Sequence, residues 1–348
     1  MCDKSFTMRE REFEPGRLRL ARDLTRQSQA ELARRLGITP SALSQFESGY
    51  ARPSAETQER LGSLLGVPTV FFELPLVDTH DGFFRALRRT SVIDRRRARA
   101  IAHVAHDLAT LGSAGSQLPA MSIPRFPIPS VAADRDEAER IAAKVRKTWG
   151  LPPGPVFDLV ALLESHGVVV MRLPLDSADV DAFSLPFADR PVLVLGSDKN
   201  DRARSRFDAA HELGHLVMHG EELWGLPQVE KQAHYFAAAF LMPCDDIYAQ
   251  LPERIDWPRL FDLKRKWQVS LAALLMRAKT LGRMTEGNYL TAVKAASARG
   301  WRRVEPVPLG IPEQPAVLAC LMEPPLDPRL RASLPDEVLN ALANAVAT

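Results

Sequence analysis

Cysteine is scarce in this sequence, which has 3 cysteines in 348 residues, at Cys2, Cys244 and Cys320. An odd number of widely separated thiols does not form the disulfide framework of a small secreted protein. No two of them have zinc-finger spacing, so a metal site in this chain has to use histidine and carboxylate ligands. This use of cysteine is typical of a reducing compartment, and we expect a cytoplasmic protein.

Long apolar runs are also missing. No stretch reaches the ~18–20 consecutive apolar residues of a transmembrane helix, so no membrane span is expected. The segment Met1–Glu14 is charged and lacks the apolar centre of a secretory signal. A net charge of only +2 does not by itself indicate a nucleic-acid binder, although a few cations on one face are sufficient for a DNA-binding domain.

Helical and strand patterns are both present, with helices in the majority. Four stretches have helical spacing after the proline-rich stretch that ends at Pro129: Asp134–Trp149, Val156–His166, Phe207–Met218 and Val229–Leu241. Two short β-rich runs next to Pro or Gly predict buried strands, at Val168–Met171 and Val192–Leu195. The predicted fold class is therefore mainly α with a small β-sheet, an α+β arrangement. Phe183, Ser184 and the strand Val192–Leu195 form either plain core sheet or an edge that pairs with a substrate peptide, and we favour the core.

Arginine is concentrated in one stretch, residues 83–112, which we predict to be a long helix. Seven arginines fall within fifteen residues: Arg85, Arg88, Arg89, Arg95, Arg96, Arg97 and Arg99. They form either a solvated helix face or a phosphate-contacting surface. The stretch that follows contains Pro124, Pro127 and Pro129, which predict an extended linker because proline fixes φ and lacks an N–H.

Residues 14–74 contain short helices with clear start and stop signals. Ser28 is a helix N-cap with Glu31 at capping-box spacing, and Gly37 ends that helix. Thr39 and Pro40 then begin the next helix. A helix, a short turn and a second helix is the arrangement that places the second helix in the major groove of DNA.

The candidate DNA-binding residues are the short polar residues at the start of the second helix and one residue of the first. The predicted contacts are Gln29, Thr39, Ser41, Ala42, Ser44 and Gln45. Gln45 can pair bidentately with adenine, whereas Gln29 is placed to meet a phosphate. The alternative is a helical module that uses the same face to contact proteins.

These residues resemble the XRE (lambda/434 repressor-like) family. The similarity lies in Gln27–Ala33, Leu36–Ser44, Glu47–Gly49 and Arg52–Ser54. The resemblance implies a five-helix domain, with helices four and five at Ser54–Leu65 and Val67–Phe72. It also implies a structural ion pair between Glu47 and a first-helix arginine, for which Arg22 is the candidate. Its implied partner is a double-stranded DNA operator, bound by a homodimer on two half-sites.

An HExxH motif lies at His211–His215. Four helical residues turn by ~400°, so His211 and His215 share one face of a helix, where two neutral imidazoles can bind Zn²⁺. Glu212, beside the first histidine, is positioned to act as general base and then general acid. The flanking residues are apolar, which indicates a buried helix whose histidines need partners.

A catalytic zinc site needs a third protein ligand, for which the sequence offers His219, Glu230 and His234. His219 is eight residues after His211, and over that distance the helical twist drifts by ~80°. Glu230 can reach the metal from the start of the second helix. His234, one turn after Glu230, can support a ligand from behind.

The residues around both helices resemble the ImmA/IrrE family of metallopeptidases. The similarity covers Arg206–His219 and Glu230–Pro243 and extends over roughly residues 135–300. The resemblance implies that Glu230 completes the zinc site. The family has Asn or Asp where this sequence has His234, which leaves open whether His234 orients a ligand or competes to be one.

Together these features predict four segments. They are a helix-turn-helix DNA-binding domain at 1–75, an Arg-rich helix and Pro-rich linker at 76–130, a zinc metallopeptidase domain at 131–305, and a tail with a short helix at 306–348. The predicted protein is a transcriptional regulator and zinc endopeptidase that cleaves a repressor or antitoxin-like protein. Two alternatives are a non-cleaving transcription factor whose peptidase-like domain senses a ligand or metal, and an antitoxin-like binding protein.

Overall fold

A computed structural model describes residues 12–79, 91–112, 118–128, 130, 132, 135–175, 181–220, 223, 226–322, 331–335 and 339. The described residues up to 79, from 91 to 118 and from 317 onward form one compact unit. Those from 119 to 316 form a second unit. The fold is mainly helical with one small sheet, as the sequence predicts. The domain boundaries given above stay a prediction.

The first unit is helical. Its elements are α1 (Pro15–Leu24), α2 (Gln29–Leu36), α3 (Pro40–Ser48), α4 (Ala55–Leu65), a 3₁₀ helix (Thr69–Glu73), α5 (Val92–Gly112) and, numbered in chain order, α14 (Val317–Met322). The predicted cap of α2 is present, because the Ser28 hydroxyl accepts a hydrogen bond from Glu31 N at 3.1 Å. Gly37 ends α2 with φ of 76°, in the left-handed region that favours glycine.

Two buried ion pairs stabilise the first unit. Arg22 donates to Glu47 at 2.6 Å, which confirms the pair implied by the repressor-like resemblance. Arg17, only 1% exposed, donates to Asp107 of α5 and to Leu74 O. The sequence alone does not reveal this second pair, because its partners lie 90 residues apart.

The Arg-rich stretch is helical from Val92 onward, as α5, and residues 83–90 of the predicted helix lie outside the described residues. Arg97 donates to Leu24 O at 3.2 Å and Arg99 to Thr79 O at 2.7 Å. These two arginines therefore contact backbone within the first unit.

The second unit surrounds a three-stranded sheet of β1 (Val169–Leu173), β2 (Ala182–Leu185) and β3 (Val192–Gly196), in the order β1-β3-β2. Strand β3 pairs parallel with β1 and antiparallel with β2, so Leu193 aligns with both Val170 and Ser184. The helices are α6 (Arg135–Thr148), α7 (Leu159–Ser165), α8 (Arg202–Met218), α9 (Pro227–Leu241), α10 (Cys244–Ile247), α11 (Trp257–Trp267), α12 (Leu271–Thr280) and α13 (Glu286–Ala298), with a 3₁₀ turn at Tyr248–Gln250. Helix α9 packs against both α6 and α8.

The described part of the proline-containing stretch has no helix or strand, and residues 119–128 belong to the second unit. Phe126 N donates to Val217 O and Ile128 N to Met218 O, both at 3.0 Å. Arg125 donates to Leu216 O at 2.5 Å, so this segment satisfies carbonyls at the end of α8 that have no partner within the helix. At the other end of the chain, most of the predicted helix Leu334–Ala345 lies outside the described residues.

Candidate metal centre and DNA-reading helix

The two histidines of the HExxH motif lie on α8 and face the same point. Asp201 caps the start of this helix by accepting from Arg204 N at 3.0 Å. One turn apart, His211 and His215 bring their Nε2 atoms to 3.0 Å from each other. His215 is 1% exposed and the His211 side chain is 12% exposed, so both imidazoles are largely shielded from solvent.

Glu230 approaches the same point from the start of α9. Its carboxylate oxygens lie 3.4 Å from His211 Nε2 and 3.9 Å from His215 Nε2. Gly214 allows this approach, because a Cβ there would lie 3.0 Å from the ring of Phe236 on α9. The glycine of the motif therefore lets the two helices pack closely enough for Glu230 to join the histidines.

The donor set and its spacing fit a zinc ion. His211, His215 and Glu230 each offer one ligand atom, and these atoms lie within 4.8 Å of one another. Tetrahedral zinc with bonds of ~2.0–2.1 Å places its ligand atoms about 3.3 Å apart. The three separations of 3.0, 3.4 and 3.9 Å lie on either side of that value. Two imidazoles and a carboxylate also leave the fourth position open, as catalytic zinc requires.

A hydrogen-bonded chain behind His215 sets which ring nitrogen faces the ligand cluster. Gln232 Nε2 donates to Ser130 O at 3.1 Å, which leaves Gln232 Oε1 to accept from His219 Nε2 at 3.1 Å. Burial lowers the pKa of His219 to about 4, so its ring is neutral and its Nδ1 accepts. His215 Nδ1, 3.0 Å away, must then carry the proton. His215 Nε2 is left with a lone pair directed at His211 and Glu230, as a metal ligand needs.

His219 therefore contacts His215 from behind and does not belong to the ligand cluster. Burial, together with the nearby His211, lowers the pKa of His215 well below its usual value, so this ring is neutral, which is the form that binds metal. For His211, burial lowers the pKa but the hydrogen bond to Glu230 and the Glu212 charge outweigh it, and the pKa is raised. A bound cation favours the neutral form of His211.

Glu212 is buried beside the cluster and is held by strand β2. The Ser184 hydroxyl donates to Glu212 Oε2 at 2.7 Å, and Ser184 itself is 0% exposed. Burial raises the pKa of Glu212 to about 7, while the His211 charge and the Ser184 hydrogen bonds lower it in part. The carboxyl group is thus held by a neutral hydroxyl and takes part in no ion pair with the described residues.

His234 lies at the mouth of the site. Its Nδ1 is 3.1 Å from Glu230 O, a carbonyl that can only accept, and its ring lies edge-on to the His211 ring with centroids 4.7 Å apart. The ligand atoms that converge are those of His211, His215 and Glu230. In this arrangement the His234 ring packs against the His211 ring, and its Nδ1 donates to the backbone carbonyl of Glu230.

The second helix of the helix-turn-helix, α3, presents the predicted DNA-contacting side chains. Ser41, Ser44 and Gln45 are exposed, Ala42 is half-buried, and the exposed Thr39 caps the helix by accepting from Ala42 N at 3.1 Å. Leu43 and Glu47 are the buried residues of this helix. Gln29 is half-buried, and its side-chain amide donates to Glu47 at 3.0 Å.

No sequence pattern predicts Ser184 as the partner of Glu212, or Gln232 as the partner of His219. The roles of Ser184 and Gln232 depend on strand and helix packing that brings residues 28 and 13 positions apart into contact. The contact of His219 with His215 is predictable from the sequence, because His219 follows His215 at the same four-residue interval that separates the two motif histidines. That interval places it next to His215, and the twist of the helix turns it away from the ligand cluster.

None of the described residues forms a helix that is both long and apolar enough to span a bilayer. No curated protein matches the chain in a sequence search. Residues 163–279 match the family model of the IrrE N-terminal-like domain, a peptidase family designated M78, and residues 17–72 match a helix-turn-helix family model. His211, His215 and Glu230 lie within the first match, and α3 lies within the second. The chain is thus a fusion of an XRE-type helix-turn-helix domain with a domain of the ImmA/IrrE (M78) peptidase family.

Proposed function

We propose that this protein is a DNA-binding transcriptional regulator and a zinc-dependent endopeptidase that cleaves a repressor or antitoxin-like protein. One observation carries the peptidase activity. His211, His215 and Glu230 converge on one point, and the carboxyl group of Glu212 lies buried next to them. The helix-turn-helix, which exposes Ser41, Ser44 and Gln45, supports binding to a double-stranded DNA operator, and we propose a homodimer on two half-sites.

The residues of the site have distinct roles in peptide hydrolysis. His211, His215 and Glu230 would hold Zn²⁺, which supplies Lewis acidity that polarises a peptide carbonyl and makes water acidic near neutral pH. Glu212 accepts a proton from the attacking water and passes it to the leaving amine. The Ser184 hydroxyl holds one carboxylate oxygen of Glu212 in place. The hydrogen bonds from His215 to His219 and from His219 to Gln232 keep the His215 Nε2 lone pair available to the cation.

A comparison of the wild type with Glu212→Gln tests the peptidase activity. The substitution preserves shape and removes the proton acceptor, so zinc content should stay the same. Both proteins, with equal zinc, are incubated with repressor proteins encoded beside the gene, and products are identified by mass spectrometry. We expect the wild type alone to cleave.

Two other results would decide against this proposal. If neither protein cleaves while both bind operator DNA with equal affinity, the peptidase-like domain acts as a sensor. If both cleave equally, the activity comes from a contaminant or another site. DNA binding is tested separately by its salt dependence, since phosphate contacts release counterions and affinity should fall steeply as salt rises.

A further inference from the structure

A large cleft adjoins the metal cluster in the second unit. Its volume is about 760 Å³, within the range of ligand-binding pockets. One face of α9 lines it, from Pro227 through Glu230 and His234 to Ala238. Because Glu230 belongs both to the cluster and to the cleft wall, a molecule bound at the metal extends directly into this space.

The walls of the cleft are mainly apolar. Phe207 and Tyr235 contribute aromatic surface, and Met276 of α12 is 43% exposed there. The small side chains of Ala238 and Ala273, on α9 and α12, leave the space between these helices open. This shape suits a bulky apolar group.

Two of the cations that line the cleft, Arg277 and Lys279, already have acidic partners. Arg277, 2% exposed, donates to both carboxylate oxygens of Glu139 at 2.7 and 3.0 Å and to Met242 O at 3.0 Å. Lys279 pairs with Glu286 at 2.8 Å. A charged group placed beside Arg277 would lose its water without gaining a free partner, so this part of the cleft disfavours charge.

Lys231 differs from these cations. It is exposed at the edge of the cleft, and no ion pair joins it to any residue that the structure describes. A carboxylate on a bound molecule would meet an uncompensated positive charge there.

We propose that this cleft binds the bulky apolar side chain of a peptide next to its scissile bond, and that an acidic residue of the same peptide lies against Lys231. This inference rests on the proposed peptidase function and adds the substrate class. The substrate would therefore carry an aromatic or large aliphatic residue at the cleavage site, with Asp or Glu beside it.

Peptide hydroxamates test the cleft without any need for cleavage, because the hydroxamate group binds zinc. The affinities of N-acetyl-phenylalanine hydroxamate and N-acetyl-glycine hydroxamate for the zinc-loaded full-length protein are measured by calorimetry. We expect the phenylalanine compound to bind at least about tenfold more tightly, since even one methylene in an apolar pocket changes affinity by about that factor. Equal affinities would overturn the inference while leaving the metal centre intact. Failure of both compounds to bind would overturn the open metal site, and with it the proposed function.

Variants locate the binding site of the apolar group. Ala238→Trp, and the milder Ala273→Leu, fill the cleft and should abolish most of the preference for phenylalanine. The control Ala298→Trp adds the same bulk at an exposed position on α13 and should retain the full preference. Zinc content and circular dichroism identify any variant that fails to fold. If one of the two cleft-filling variants does not fold, the other one tests the preference for phenylalanine. A preference that persists in both folded filling variants would contradict the assignment.

The charge at the edge is tested with N-acetyl-Asp-Phe and N-acetyl-Ala-Phe hydroxamates. The wild type should favour the aspartyl compound by about two- to fivefold, as expected for a solvent-exposed pair. In Lys231→Glu the preference should reverse. An unchanged ratio in that variant would remove Lys231 from the proposal.

Discussion

Glu313 forms a buried ion pair with Arg206, which lies five residues before His211 on α8. The side chains of both residues are 1–2% exposed. The other carboxylate oxygen of Glu313 accepts from Leu159 N at 3.0 Å and Val160 N at 3.2 Å, at the start of α7. One residue outside the peptidase-family match therefore joins α8, the helix that carries the HExxH motif, to α7.

Removal of the Glu313 charge should strongly destabilise the second unit. In Glu313→Gln the buried guanidinium of Arg206 loses its counter-charge, which costs about 3–5 kcal/mol for a buried pair. All five tryptophans lie in the residue range of this unit, so tryptophan fluorescence during urea unfolding follows it specifically.

The control for this prediction is Glu286→Gln. Glu286 pairs with Lys279 on the surface and is 59% exposed, so its loss should cost less than about 1 kcal/mol. Equal midpoints for the two variants would show that the Glu313–Arg206 pair contributes no more than a surface contact.

The exposed side chain of Gln45 should contribute to sequence recognition. We expect Gln45→Ala to weaken binding to an operator selected from random double-stranded DNA by about five- to 150-fold, corresponding to ~1–3 kcal/mol for a bidentate base contact. Binding to unrelated DNA should change little, as measured by fluorescence anisotropy. The control Ser63→Ala alters an exposed residue of α4. Loss of affinity in Ser63→Ala alone would place the DNA-binding surface elsewhere.

Acid should destabilise the first unit through His103. Burial, aided by Arg99 and Arg17, lowers the pKa of His103 to about 3 from 6.5. Between these values the unfolded chain binds a proton that the folded chain does not, so stability is lost as the pH falls from 6.5 towards 3, by up to about 1.4 kcal/mol per pH unit. His103→Gln should remove this contribution, which hydrogen exchange of α1 amides between pH 6 and 4 can measure. Identical pH slopes for the wild type and the variant would refute the assignment.

The hydrogen bonds that link His215 to His219 and His219 to Gln232 should strengthen metal binding. His219→Phe and Gln232→Leu remove the groups that fix the His215 tautomer, and loss of such outer contacts typically lowers metal affinity 10–100-fold. Competition with a zinc-binding dye measures the change. Tyr235→Phe, a half-buried neighbour on α9, is the control and should bind zinc as the wild type does. If His219→Phe and Gln232→Leu bind zinc as tightly as Tyr235→Phe and the wild type do, packing alone orients His215.

The motifs that the sequence reveals are those with local spacing. The caps at Ser28 and Thr39 follow from residues three positions apart, and the facing imidazoles of His211 and His215 follow from the pitch of a helix. The Glu47–Arg22 pair came from family resemblance, since no local rule links residues 25 positions apart.

Contacts between distant segments could not be predicted in this way. Glu313 meets Arg206 across 107 positions, and Ser184 meets Glu212 only because β2 pairs antiparallel with β3 beside α8. Strand β2 is only four residues long, too short for its alternation to distinguish a core strand from an edge. Such contacts depend on tertiary packing, which periodicity does not encode.

Metal content shows whether His211, His215 and Glu230 together hold one zinc ion. The protein is dialysed against zinc and then against zinc-free buffer, and bound zinc is measured by inductively coupled plasma mass spectrometry. The wild type should retain one zinc per chain. His215→Ala and Glu230→Ala should retain little, whereas His166→Ala, which changes a histidine outside the cluster, should retain one. A wild type without zinc, or His215→Ala and Glu230→Ala variants that keep a full equivalent, would rule out zinc binding by these three residues.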